Sequence, residues 1–244
     1  MDLDPHVLDG AGVLEPAAFA AALHGGTAPL GAPRALPDGG PEPVSMGVPG
    51  VVIRPGDHIC AFYRGAAQRD EVLVPFLREG ILAGDKCICV MDDPDTEPLL
   101  APLSAELDLE RSMRTGQFEL YDSDHAYLPG GSFASDRMLG YWERGFHDAT
   151  DDCGYTFVRA VGEMTWALRD VPGVEQLVAY EARLNDFLPT HPQCVLLCLY
   201  DLEQFSDGQM LMGLLGTHPI VLMSGQLLDN PWYTEPGEFL AARV

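Results

Sequence analysis

From about Val51 onward, short apolar runs alternate with stretches whose apolar residues recur every three or four positions. His58 to Tyr63 predicts a strand. A helix over Val72 to Leu82 follows, in which Leu73, Leu77 and Ile81 repeat every four residues. Pro75 fits that helix only near its first turn or at a kink. Strands are then expected at Lys86 to Met91 and Gln117 to Tyr121, with a helix around Pro98 to Leu107 between them. A longer helix carries Met138, Trp142 and Phe146 on one stripe. The strand Tyr155 to Val161, a helix from Val174 to Leu188, and the almost wholly apolar run Cys194 to Tyr200 come next, the last reading as a strand buried on both faces. A helix near Gln209 to Leu215 and a strand at Ile220 to Met223 complete the alternation, and Asn230 to Pro236 reads as a loop. This order predicts an α/β domain of three layers, a mainly parallel sheet with helices on both faces.

Residues 1–50 have a different texture. About a third are Gly or Pro, Arg34 is the sole basic residue, and apolar periodicity is confined to Glu15 to His24. The division expected is a Gly/Pro-rich acidic arm and linker at 1–50, partly disordered, and a folded unit at 51–244. Within the arm, Phe19 and Leu23 either belong to a disordered tail or dock on this protein or a partner.

The 47% hydrophobic content supports a full-sized core. Set against 14 basic residues, 37 acidic ones give a net charge of -23, which repels phosphate backbones and anionic lipid. Direct nucleic-acid and membrane partners are therefore not expected. No run of about 18 apolar residues occurs and the start lacks a secretion-signal pattern, so a cytoplasmic location is expected. Most of the six cysteines lie in strand-like segments and read as reduced thiols.

In an open parallel sheet, ligands bind beyond the carboxyl ends of the strands. The predicted strands end at Tyr63, at Asp92 and Asp93, at Asp122, at Glu163, and at Tyr200 and Asp201. Asp92, Asp93 and Asp122 read first as helix caps or turn residues. Glu163 and Asp201 emerge from strongly apolar runs beside Trp166 and Tyr200, which would wall a pocket. Glu181 falls in the middle of the apolar stripe Val174, Leu177, Val178, Leu184 and Leu188. A carboxylate there must be paired, protonated or bound to something, and a structural arginine such as Arg159 is the plain alternative to a ligand. His58 and Cys60 share one strand face, as do Cys87 and Cys89, and Cys194 and Cys198. Metal pairs such as C-x-x-C are absent, so the site expected is a ligand site with no metal and no cofactor. His218 is either a ligand contact or the cap of the preceding helix.

No G-x-x-x-x-G-K-[ST] is present. The loop Tyr63-Arg64-Gly65-Ala66-Ala67-Gln68-Arg69 has neither the lysine nor the glycines that wrap a triphosphate. Neither G-x-S-x-G, H-E-x-x-H nor a G-x-G-x-x-G after a strand occurs. ATP hydrolysis, and catalysis generally, is not expected.

Several segments, in order, resemble one family. They are Gly56-Asp57-His58-Ile59-Cys60, Val74-Pro75-Phe76-Leu77-Arg78-Glu79-Gly80, Gly162-Glu163-Met164-Thr165-Trp166, Tyr180-Glu181, Cys198-Leu199-Tyr200-Asp201, Thr217-His218-Pro219 and Asn230-Pro231-Trp232-Tyr233. Together they are similar to the MEDS domain of DcmR-type sensors, from about Ile53 to Leu240. The resemblance implies a core like those of the KaiC and RecA ATPases without their phosphate loop, and a sensory role toward small hydrocarbon-derived ligands. Family members often carry a helix-turn-helix or an anti-sigma-factor kinase-type ATPase segment, and neither is read in these residues. Output is then expected through a regulatory protein partner, of anti-sigma-factor or kinase type, with self-association left open. The expected ligand site comprises His58, Cys60, Tyr63, Glu163, Trp166, Glu181, Tyr200, Asp201 and His218. Two other readings stand beside it. One is an interaction scaffold whose crevice is filled by side chains. The other is an enzyme using Asp92, Glu163 and Asp201 with a divalent cation.

Overall fold

Every residue of the strand His58–Tyr63 is buried, and its side chains alternate between two apolar layers: Cys60 and Phe62 enter one, Ile59, Ala61 and Tyr63 the other. The same alternation runs through Cys194–Asp201, where Cys194, Leu196, Cys198 and Tyr200 enter the first layer and Val195, Leu197 and Leu199 the second. A strand that is apolar on both sides requires helices on both sides. The computed structural model of this chain, which describes residues 34, 42–93 and 95–242, supplies them.

The strands are β1 (Val44–Ser45), β2 (Val52–Ile53), β3 (His58–Tyr63), β4 (Lys86–Met91), β5 (Phe118–Asp122), β6 (Val158–Glu163), β7 (Cys194–Asp201), β8 (Ile220–Met223) and β9 (Gln226–Asp229). The helices are α1 (Gly65–Ala83), α2 (Glu97–Glu106), α3 (Leu109–Arg114), α4 (Ser123–Ala126), α5 (Ser135–His147), α6 (Leu177–Phe187), α7 (Gly208–Thr217) and α8 (Pro236–Ala241). Seven strands form the central sheet in the order β5-β4-β6-β7-β3-β8-β9, parallel throughout except for the terminal β8–β9 hairpin. Helices α1 to α3 cover one face and α4 to α7 the other. The chain is thus an α/β domain of three layers, as its alternating pattern predicts. The strands expected at 58–63, 86–91 and 220–223 occur with those bounds.

Several elements differ. Helix α1 begins at Gly65 rather than Val72, because Ala66, Ala67, Gln68 and Arg69 favour helix without carrying an apolar period. Pro75 therefore lies well inside α1 rather than in its first turn. The short elements α3, β9 and α8 were not expected. Helix α3 is set by its cap, the Asp108 carboxylate accepting from the Arg111 N–H at 3.0 Å. The segment expected as an arm lies largely outside the described residues, including Glu15 to His24 with Phe19 and Leu23. Its last part supplies β1, which pairs antiparallel with β2 at the start of the unit expected from residue 51, and buries Met46 in the α1 layer. Arg34 forms an ion pair with Asp57, which precedes β3 at the end of the sheet opposite the strand carboxyl ends.

Arg159, named as the plain alternative to a ligand for pairing Glu181, points to the opposite face. It is 1% exposed, donates to Asp85 at 2.8 Å and to the Ser45 carbonyl at 3.0 Å, and stacks its guanidinium over Phe76. Gly80 lets α1 pass this side chain. A Cβ there would fall 2.5 Å from Arg159 Cδ and 2.8 Å from Cys87 Sγ. Both neighbours are buried and held, so overpacking is the expected result of Gly80→Ala, at about 1–3 kcal/mol. Urea unfolding of that variant should show a lowered midpoint at an unchanged slope; an unshifted midpoint would show that α1 can move away.

Candidate functional site

The carboxyl ends of β3, β4, β6 and β7 open a crevice of about 430 Å³. Glu163, the last residue of β6, lines it although only 3% exposed. Its Oε1 accepts from the Tyr63 hydroxyl at 3.0 Å and from Arg69 Nη1 at 3.1 Å. Its Oε2 accepts from the backbone N–H groups of Asp92 at 2.9 Å and Asp93 at 3.2 Å. Four donors satisfy the buried carboxylate, so the strand end is polar without being frustrated. Burial first, and then the Glu163 charge, push the Tyr63 phenol far above its ordinary range and keep it a donor. Arg69 also reaches Asp70 at 2.9 Å and Asp93 at 3.2 Å. On the rim, Asp92 accepts from Thr165 at 3.1 Å and is in contact with Ser123 and Arg169.

The start of α1 follows directly on β3, where exposed helix N–H groups would grip a phosphate. A carboxylate of the chain already occupies that position. Asp201, at the end of β7, accepts from the Gly65 N–H at 3.1 Å, the Glu203 N–H at 2.9 Å and Gln204 Nε2 at 3.0 Å. Gly65 adopts φ +65°, and the Glu203 carboxylate stands 3.3 Å from where a Cβ would be. Two carboxylates therefore stand at this turn, one of them hydrogen-bonded to the first N–H of the helix.

A second cluster lies on the other face of the sheet. His58 of β3, Cys198 and Tyr200 of β7, Glu181 of α6 and His218 after α7 come together in full burial. Tyr200 donates to Glu181 Oε1 at 2.7 Å, and the Nε2 atoms of His58 and His218 lie 3.1 and 3.2 Å from Oε2. Burial opposes ionisation of Glu181, but His218 and His58 outweigh it and hold the carboxyl well below its usual range.

The single crevice expected from the sequence is therefore two sites on opposite faces. Tyr63, Glu163 and Asp201 share the open one. His58, Glu181, Tyr200 and His218 form the closed one, with Cys60 in the same layer. Trp166 walls neither: it is fully buried, stacked on Tyr127 at 4.8 Å and beside Phe133 at 4.7 Å. Asp122 caps α4 through the His125 N–H at 2.7 Å and Asp93 holds a turn through the Asp95 N–H at 2.9 Å, as their positions predict. Asp92 is instead a rim residue of the crevice. Arg69, Thr165, Arg169 and Gln204 also line it and were not anticipated. Arg69 precedes the expected helix start, where no apolar period marks it.

Over residues 57–219 the sequence matches the family described as MEDS, MEthanogen/methylotroph, DcmR Sensory domain. It is 32% identical over 176 residues to the transcriptional repressor DcmR of Methylorubrum extorquens, an alignment covering 72% of this chain and 63% of that protein. The chain thus spans less than two thirds of the length of the curated relative it matches. Among solved structures, it resembles the KaiC-like protein PH0186 of Pyrococcus horikoshii, with TM-score 0.51 and 14% identity over 74% of this chain and 79% of that one. No helix of the described residues is long and apolar enough to cross a membrane.

Burial raises the thiols of Cys60, Cys89 and Cys198 and pushes those of Cys87 and Cys194 up to about 12, whereas Cys153 is exposed. Reaction needs the thiolate and access. At pH 8 a disulfide reagent should therefore label one thiol per folded chain, Cys153, and all six only after denaturation. Rapid labelling of a second thiol in the folded protein would show that a strand layer opens.

Proposed function

Because this chain belongs to the MEDS family of sensory domains, we propose that it is a non-catalytic signal-sensing module whose crevice at the strand ends takes a small ligand. Occupancy would bias a surface read by a regulatory protein partner. The observation that carries this reading is Glu163, a carboxylate held by four donors at the base of an open crevice. Charged groups of both signs surround it: Arg69 and Arg169 against Asp92, Asp93 and Asp201. Such a lining favours a small polar molecule, or a hydrocarbon derivative with a polar end that both donates and accepts hydrogen bonds. The Asp201 and Glu203 carboxylates at Gly65 disfavour a nucleoside triphosphate.

One feature favours the scaffold reading. The Arg69–Glu163 pair already satisfies part of the crevice from within, as a site filled by its own side chains would. The two readings separate by thermal shift. A ligand at about 100 times its Kd should add roughly 2.7 kcal/mol of stability to the sensor. A panel of small carboxylates, amines, alcohols and their methylated derivatives should contain a compound that raises the melting temperature of the wild type but not of Glu163→Gln, while MgATP leaves both unchanged. Stabilisation by MgATP would overturn the assignment of Asp201 as its replacement. A null panel together with unchanged partner binding by Glu163→Gln would leave the scaffold in possession of the crevice.

A further inference from the structure

The geometry of the closed cluster points to a function for it that the crevice does not share. We propose that His58, Glu181, Cys198 and His218 form a buried site for one divalent metal ion, with zinc the best chemical match.

The argument begins with the protons. His218 Nδ1 lies 2.7 Å from the Leu214 carbonyl, which can only accept, so this nitrogen carries hydrogen. His58 Nδ1 lies 3.1 Å from Asn185 Oδ1. The Asn185 amide is oriented by its Nδ2, which donates to the carbonyls of Thr217 at 2.6 Å, Ala182 at 3.2 Å and Glu181 at 3.3 Å. Its oxygen therefore faces His58, and His58 Nδ1 is also a donor. With both Nδ1 atoms engaged as donors, the Nε2 atom of each ring is the one turned inward, where a ring without a second proton offers a lone pair.

Those lone pairs converge on an anion. Both Nε2 atoms approach the same Glu181 oxygen, at 3.1 and 3.2 Å, from rings whose centroids are 4.1 Å apart. Cys198 Sγ lies 3.6 Å from His58 Nε2 and 3.6 Å from Glu181 Oε2. The Cys198 S–H can serve His58 Nε2 or Glu181 Oε2 but not both, so the four groups compete for few hydrogens. Among the described residues, fully buried His218 Nε2 has no hydrogen bond of good geometry, although Glu181 Oε2 lies 3.2 Å away. A cation among the four atoms resolves the conflict.

The dimensions and charge agree. Zinc bonds of about 2.0–2.3 Å at tetrahedral angles place ligand atoms roughly 3.3–3.7 Å apart. The four candidate atoms all lie within 4.8 Å of one another. A divalent ion would be neutralised by the Glu181 carboxylate and the Cys198 thiolate, so the filled site carries no net charge into the core. Binding releases the Cys198 proton to solvent. The outer contacts are also those of a ligand set: Leu214 and Asn185 hold the imidazoles, and the Tyr200 hydroxyl holds the second oxygen of Glu181. A surface depression of about 480 Å³ at the amino end of β3, lined by Asp57, His58, Pro219 and Asp229, lies on the outer side of His58.

The test uses the intact chain, unfolded in urea with a chelator and refolded with or without Zn(II) or Co(II). The expected result is one metal per chain by elemental analysis, a higher melting temperature with zinc, and a thiolate-to-cobalt charge-transfer band in the Co(II) form. Cys198→Ser should lose the band, His218→Gln should lose stoichiometric metal, and Asn185→Ala should weaken binding by about 10–100-fold. Cys60→Ser, a neighbour outside the set, should retain band and metal. Failure of the wild type to take up either metal would overturn the proposal, as would metal retained by both Cys198→Ser and His218→Gln. If those variants do not fold, the wild-type cobalt spectrum decides, and a spectrum without thiolate character counts against the site. None of these outcomes depends on what the crevice binds.

Discussion

A strand buried from both sides sends successive side chains into two separate layers, and the buried polar groups of this protein are divided by that alternation. In β3, His58, Cys60 and Phe62 face α6 and α7, while Ile59, Ala61 and Tyr63 face α1. In β7, Cys198 and Tyr200 go to the first layer and Leu199 to the second. The open crevice belongs to the α1 layer and the closed cluster to the α6 layer. The sheet between them is apolar and buried on both sides.

The likeness to a KaiC-like protein is one of fold, in the sheet and its layers. A helix beginning after the first core strand offers unpaired N–H groups and partial positive charge. Here Asp201 accepts from the Gly65 N–H and Glu203 crowds the turn, so the demand that phosphate would meet is met by the chain itself.

Much of the architecture was legible because apolar periodicity reports burial directly. The runs at 58–63, 86–91 and 194–200 are long, β-rich and bounded by polar residues, and they became strands there or within one residue of it. The elements that escaped have no such period. Helix α3 has six residues and is set by its Asp108 cap, and β9 is a short edge strand with exposed ends. At the site level, Glu163, Asp201 and Glu181 were conspicuous as carboxylates beside or inside apolar runs. Their separation was also present in the residue numbers, since Tyr63 is out of phase with His58 and Cys60. What no spacing rule could supply was the partnership of His58, Glu181, Cys198 and His218, which come from β3, α6, β7 and the turn after α7. Arg69 was hidden for another reason: its helix begins with Ala and Gln, which carry no face.

Glu163 joins stretches of chain that are otherwise far apart, because one oxygen takes hydrogens from Tyr63 and from Arg69 on α1 while the other takes them from the backbone between β4 and α2. A guest that competed for this carboxylate would free one of these donors, and they belong to different elements: β3, α1 and the turn after β4. The identity of the displaced donor, more than the tightness of the visitor's grip, would then determine which part of the exterior changes.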